Sequence, residues 1–187
     1  MSGYVEPRRM RHRIEYVGGV EQLRLPVRRH ILALLFLPFW LTGWTIGGAD
    51  AITEVMDEPN LFLAVWLCGW AFGWVAAASA FAAMLVGSEI LRVQGGDLEV
   101  IHRIGPLRRS WRYRGGEIRH LSRCYEDDGF FTRGRGWVPL LSRPARGEVA
   151  FDYGSDRIFI AMDATGNDGD AIEEWLTARL PRSASAA

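Results

Sequence analysis

The chain has 187 residues, and its formal charge is zero because 22 basic residues balance 22 acidic ones. Every basic residue is an arginine, which excludes chemistry that needs a lysine amine, such as Schiff-base formation or a P-loop lysine. Two cysteines, Cys68 and Cys124, are too few for a disulfide scaffold or a four-ligand zinc site. The length allows one ordinary domain, or a small domain with a membrane anchor.

Residues 1–30 form a basic segment that is patterned as a β-hairpin. The segment holds seven arginines against three acids. Alternating apolar residues in Arg13–Val17 and Gln22–Val27 flank Gly18-Gly19, which is typical of two strands joined by a tight turn. The hairpin either precedes the rest of the fold or joins its sheet, and in the second case the apolar segments that follow are inserted into the domain.

Two long segments without any charge predict two transmembrane helices, at residues 31–49 and 61–87. As helices they extend roughly 28 and 40 Å, against a hydrocarbon core of about 30 Å. Residues 50–60 between them contain four acids and no base. Because arginine near the ends of a span stays cytoplasmic, we expect both termini inside and an acidic extracytoplasmic loop. Neither span contains an ionisable residue, which argues against a channel or a proton path.

A signal peptide is the alternative interpretation of the first span. Residues 31–46 follow a basic stretch and precede Ala49-Asp50-Ala51, which fits an A-x-A cleavage site. The basic stretch is thirty residues long, and a second span follows, so we favour a retained helix.

Both spans carry small residues four positions apart, a spacing that lets helix backbones approach closely. The two helices either pack on each other as a hairpin or dock onto the helices of a partner. Three tryptophans of the second span also recur every four residues and form one stripe, which faces either lipid or an interface. The candidate helix-packing residues are Gly43, Gly47, Gly69, Gly73, Trp66, Trp70 and Trp74.

Residues 88–181 predict a curled antiparallel sheet that is closed by one amphipathic helix. A capping box of Asp170 and Glu173 starts this helix, Pro181 stops it, and residues 182–187 form a disordered tail. The six predicted strands are Glu89–Gln94, Asp97–Ile104, Leu107–Tyr113, Glu117–Cys124, Glu148–Tyr153 and Arg157–Met162, and a Gly95-Gly96 turn joins the first two. Their predicted inner face consists of Leu98, Val100, Ile104, Leu107, Trp111, Tyr113, Val149, Phe151, Ile158 and Ile160.

Four motifs of the sheet and its helix carry a family resemblance: Glu89-Ile-Leu-Arg-Val, Gly96-Asp-Leu-Glu-Val, Trp111-Arg-Tyr and Ile172-Glu-Glu-Trp. Together with the two preceding spans they resemble bacterial two-span membrane proteins with a PH-like domain, and the resemblance covers roughly residues 31–180. The resemblance implies a membrane α-helical hairpin plus an α+β PH-like domain, an antiparallel curled sheet or barrel capped by a C-terminal helix. It places that domain on the cytoplasmic face of the bacterial inner membrane and implies no shared catalytic residue.

No catalytic, metal or cofactor site is expected. The four histidines, His12, His30, His102 and His120, have no second ligand at metal spacing, although His102 and His120 fall on strands and could meet across the sheet. Cys124 lies near His120 but lacks an orienting acid and an oxyanion loop.

The segment from Tyr125 to Gly147 pairs aromatic residues with arginines and is too long for an ordinary connection. It is either a contact surface for a partner or the membrane, or a plain loop. Nucleic acid is not expected as a partner, because residues 148–187 hold three arginines against eight acids. The candidate contacts are Phe130, Phe131, Arg133, Arg135 and Trp137, together with Arg108, Arg109 and Arg112 near a hairpin.

These features predict a non-enzymatic membrane interaction or scaffold protein, an accessory or assembly subunit of a larger membrane complex. Its partners would be the lipid bilayer and other membrane subunits. The alternative is a PH-like module that senses anionic lipid headgroups.

Overall fold

The computed structural model describes residues 12–124, 146–164, 166–181 and 184. These residues form three helices and two antiparallel sheets, one of five strands and one of three. The helices are α1 (Ile31–Asp57), α2 (Leu61–Val86) and α3 (Gly166–Thr177). The strands are β1 (Arg13–Val17), β2 (Val20–Pro26), β3 (Gly87–Gln94), β4 (Asp97–Ile104), β5 (Leu107–Tyr113), β6 (Ile118–Arg123), β7 (Val149–Tyr153) and β8 (Asp156–Ile160).

The N-terminal hairpin is part of the five-stranded sheet, whose order is β1-β2-β3-β4-β5. β2 pairs antiparallel with β3, so that Leu23 lies opposite Leu91 and Pro26 opposite Ser88. Since α1 and α2 lie between these two strands in the chain, the helices are an insertion within the sheet. α2 passes directly into β3, and only residues 27–30 join β2 to α1.

Glycine pairs form two of the predicted turns of the first sheet. Gly18 and Gly19 join β1 to β2 with φ of 62° and 77°, and Gly95 and Gly96 join β3 to β4 with φ of 62° and 82°. Positive φ at both central positions matches the twist of the flanking strands and costs little at glycine.

Both long helices are long and apolar enough to span a membrane. α1 is longer than predicted, because it continues through Asp57 where the sequence suggested a loop over residues 50–60. The chain holds no helix breaker there until Pro59, which disfavours helical backbone at Glu58; Glu58 is extended, with φ −131° and ψ 98°. The side chain of Asn60 then caps α2 by accepting hydrogen bonds from two of its first N–H groups.

The main core lies between the two sheets and α3, which packs against β6 and β7. Among the described residues no strand of one sheet pairs with a strand of the other, so the sheets do not form a closed barrel. Eight of the ten predicted inner-face residues are buried and Trp111 is partly buried. The prediction for Leu107 is wrong: it is 62% exposed, because it lies at the end of the outermost strand of its sheet.

The predicted start of α3 is also wrong. The helix begins at Gly166, so Asp170 lies inside it and binds Arg123 instead, with Nη1 and Oδ1 2.6 Å apart. The buried Asp168 occupies the first turn, where its Oδ1 lies 2.9 Å from His12 Nδ1. In the predicted tail, Ala184 is buried against the core.

Candidate functional site

The two long helices pack through tryptophans that lie against glycines of the other helix. The Trp70 indole covers Gly48 so closely that a Cβ there would overlap the ring. Trp44 covers Gly73 in the same way, and a Cβ there would lie 3.1 Å from the ring. The Trp44 and Trp70 rings stack with their centroids 5.9 Å apart. The hairpin therefore has its own interlocked interface.

The other two tryptophans of the stripe on α2 differ: Trp74 contacts α1, and Trp66 is exposed. Trp74 Nε1 donates a hydrogen bond to Thr45 Oγ1 at 3.0 Å, which satisfies a polar group in an apolar setting. Trp66 is 47% exposed. The stripe is mainly an interface within the chain, with Trp66 at its outer end.

Three predicted packing glycines take no part in this hairpin. Gly43, Gly47 and Gly69 are exposed, and a Cβ added to any of them would meet no atom within 4 Å. Gly43 and Gly47 lie one turn apart on α1 and leave a shallow groove on its surface. Gly48 was not predicted as a packing residue, since its only signal in the sequence is that it follows Gly47 in the first span.

The three arginines predicted as contacts on β5 have different surroundings. Arg108 is exposed. The Arg109 guanidinium lies 5.1 Å from the ring centroid of Trp111, and Arg112 binds Asp97, with Nη2 and Oδ2 3.0 Å apart. These side chains therefore do not form one basic patch.

The strands of the five-stranded sheet have one set of ends next to α1 and α2, where β2 and β4 end and β3 and β5 begin. Gly87, which follows α2, pairs with Ile104, and Ile104 pairs with Leu107. A Cβ on Gly105 would lie 3.8 Å from Val86, the last residue of α2. We call this region the helix-proximal edge; its exposed residues are Arg28, Arg29, Arg103, Pro106, Leu107 and Arg108.

The residues that flank the segment between β6 and β7 are hydrogen-bonded to each other. Cys124 N–H donates to the Glu148 carbonyl at 2.9 Å. The remaining predicted contacts lie outside the described residues; these are Phe130, Phe131, Arg133, Arg135 and Trp137.

Glu89 is a buried carboxylate that connects the two sheets, and it was not predicted as a site residue. Its Oε1 accepts a hydrogen bond from Ala161 N–H at 2.9 Å, and its Oε2 accepts one from Met162 N–H at 3.2 Å. Ala161 has a φ of 61°, a strained conformation for a residue with a Cβ. His102 Nε2 lies 3.8 Å from Glu89 Oε1. The available signal was an acid at an inward position of an apolar strand, two residues before Leu91.

The histidines do not form a common site. His102 is buried in the first sheet, where Trp111 packs edge-on against it at 5.0 Å. His120 lies in the second sheet, and its Nδ1 contacts Asp152 Oδ2 at 2.8 Å, so these two histidines do not meet across a sheet. Within the described part of the chain, no group of three or more histidines, cysteines or acids could hold a metal ion.

A second carboxylate, Glu21, ties β2 to α3. It accepts hydrogen bonds from Trp175 Nε1 at 2.8 Å, from Arg179 Nη2 at 2.7 Å and from the Tyr16 hydroxyl at 3.3 Å. The Trp175 and Arg179 hydrogen bonds, more than the Arg179 charge, hold the pKa of Glu21 below its ordinary value of 4.5.

Glu21 is therefore expected to stabilise the fold in a pH-dependent way. Since its pKa is lower in the folded state, the stabilisation is present above pH 4.5 and is lost as the pH falls through the folded pKa. Glu21→Gln should lower the thermal unfolding midpoint at neutral pH, and the difference between the midpoints of the variant and the wild type should become smaller in acid. Unfolding midpoints of both proteins, measured from neutral pH to below pH 4.5, check the prediction. A difference that does not change with pH would contradict it.

No family model, curated protein or solved structure matches the chain. The fold and the site define its class: a protein with two antiparallel sheets, in which a hairpin of two helices long and apolar enough to span a membrane is inserted into the five-stranded sheet.

Proposed function

We propose that the chain spans the bacterial inner membrane twice and is a non-enzymatic accessory or assembly subunit of a larger membrane complex. The open groove at Gly43 and Gly47 carries this proposal. The hairpin is already packed through Gly48 and Gly73, so it does not use that groove. In a bilayer, small residues four apart let a further helix approach closely.

In the proposed orientation, both termini and the sheets are cytoplasmic. The sheet-side ends of the helices carry Arg28 and Arg29, and the far end of α1 carries Asp50, Glu54 and Asp57. This asymmetry follows the positive-inside rule.

Retention of α1 in the mature protein is also part of the proposal. Cleavage near Ala49–Ala51 would cut α1 internally and would separate β2 from its partner β3. The edge of β3 would then lose its hydrogen-bonding partner, which is costly for an apolar strand.

We further propose that the sheets form a PH-like interaction module. Support comes from two antiparallel sheets followed by a C-terminal helix that packs on β6 and β7. The motif residues Glu89–Val93 and Trp111–Tyr113 fall on β3 and β5 of this arrangement.

Filling the open groove tests the proposed function. We expect Gly43→Leu/Gly47→Leu to reduce partner recovery by at least about tenfold, equivalent to about 1.4 kcal/mol, when the full chain is extracted from native membranes in mild detergent. The reason is that leucine side chains would prevent close helix approach. Partner recovery is measured as the stoichiometry of co-purifying subunits.

Ala71→Leu, a small-to-large change at an exposed position of α2, is the matched control and should leave recovery unchanged. Full recovery with the groove filled would refute the proposed interface, and so would an equal loss in the control.

A further inference from the structure

Several arginines that lie away from the helix ends pair with carboxylates: Arg92 with Glu99 at 3.8 Å, Arg112 with Asp97 at 3.0 Å, and Arg179 with Glu21 at 2.7 Å. At the helix-proximal edge, by contrast, the described residues include no carboxylate ion-paired to any of four exposed arginines, Arg28, Arg29, Arg103 and Arg108.

The contacts of these four arginines leave most of their donors exposed. Arg29 Nη2 donates to the Leu85 carbonyl at 3.3 Å, and Arg103 Nε donates to the Gly105 carbonyl at 2.8 Å. Both contacts hold the side chains beside the end of α2 without neutralising their charge. The edge therefore presents four exposed guanidinium groups whose charge no described carboxylate neutralises.

An exposed apolar tip lies between Arg103 and Arg108 in the chain. Leu107 is 62% exposed, and the adjacent Pro106 is exposed as well. Next to this tip, Arg103 of β4 lies directly opposite Arg108 of β5. Because α2 enters β3 without a linker, this tip is held level with the end of the helix.

We infer that the helix-proximal edge is a contact surface for anionic phospholipid headgroups. Arginine binds phosphate oxygens through paired, charge-assisted hydrogen bonds, and an apolar side chain between such arginines enters the headgroup boundary. The inference rests on the membrane insertion in the proposed function, but it does not require a partner subunit. It replaces Arg109 and Arg112 of the predicted lipid contacts with Arg28, Arg29 and Arg103.

The test measures which lipid lies next to the tip. The full chain, with Cys68→Ala, Cys124→Ala and Pro106→Cys, carries a fluorophore at position 106 and is reconstituted into vesicles. Nitroxide-labelled phosphatidylglycerol and phosphatidylcholine are then compared as quenchers. We expect stronger quenching by phosphatidylglycerol, and this preference should weaken as salt is added.

Removing the charges at the edge should abolish the preference. We expect Arg103→Gln and Arg108→Gln each to lower the ratio of quenching by phosphatidylglycerol to quenching by phosphatidylcholine about fivefold, at roughly 1 kcal/mol per charge. The ratio should fall no further than one, where the two lipids quench equally. The matched control is Arg112→Gln/Arg114→Gln. It removes the same charge from exposed arginines paired with Asp97 and Glu117 and should leave the ratio unchanged.

Equal quenching of the parent protein by both lipids would overturn the inference, as would an equal loss in the control. Absence of quenching by either lipid would also overturn it, because the tip would then not lie at the headgroups. The vesicles contain no other protein, so failure here is distinguishable from failure of the proposed subunit role.

Discussion

Replacing Glu89 with alanine is expected to lower the free energy of unfolding by about 3 kcal/mol or more. The carboxylate accepts hydrogen bonds from Ala161 and Met162, and Glu89 is only 6% exposed. Alanine would leave two N–H donors without an acceptor in the space between the sheets. It would also release Ala161 from the contact that holds its positive φ.

Hydrogen–deuterium exchange and thermal unfolding of the full chain in detergent check this prediction. Peptides that contain Ala161 and Met162 should lose protection in the variant. Glu99→Ala is the control, because Glu99 lies on the outer side of the same sheet and forms one long ion pair with Arg92, 3.8 Å, worth at most about 1 kcal/mol. Exchange and stability like those of wild type in Glu89→Ala would show that Glu89 does not connect the sheets.

Gly48→Leu is the second substitution with a large expected effect. Its side chain would occupy the space of the Trp70 indole, so either the ring must leave or the helices must separate. Overpacking of this kind costs about 2 kcal/mol. The stacked pair of Trp44 and Trp70 should lose its fixed geometry, which is measured as a loss of near-ultraviolet circular dichroism.

The neighbouring Gly47 supplies the matched control. It is exposed, and a Cβ there would meet no atom within 4 Å, so Gly47→Leu should retain the dichroism and the unfolding midpoint of wild type. If the two variants behave alike, the helices do not pack through Gly48 and Trp70.

Local features of the fold could be predicted from the sequence because their signals are local. Glycine pairs at Gly18-Gly19 and Gly95-Gly96 have few roles other than tight turns, and they placed the hairpins correctly. The bounds of β4 and β5 are those predicted. The two apolar helices were equally evident, because a run of about twenty uncharged, mainly apolar residues is typical of a membrane-spanning helix.

Features that depend on distant residues could not be predicted in this way. The pairing of β2 with β3 joins residues on either side of two helices, so the sequence left two alternatives open. Leu107 has the same alternating pattern as its buried neighbours, and only the outer position of β5 exposes it. The capping-box pattern at Asp170 was outweighed by a helix start at Gly166, with Asp170 bound to Arg123.

The same limit explains which parts of the site were missed. Spacing identified glycine as the packing residue on α1, but Gly48 is covered by Trp70 whereas Gly43 and Gly47 are open. Which glycine meets a ring depends on how the two helices are rotated, and this is a tertiary property. Glu89 was overlooked because its partners, Ala161 and Met162, are backbone groups with no sequence signature.

The mass of the particle extracted from native membranes tests the central claim most directly. With the wild-type chain in mild detergent, light scattering should give a protein mass well above that of one chain, with a second polypeptide at fixed stoichiometry. A monodisperse particle with the protein mass of a single chain would contradict the claim that this protein is a subunit of a larger membrane complex.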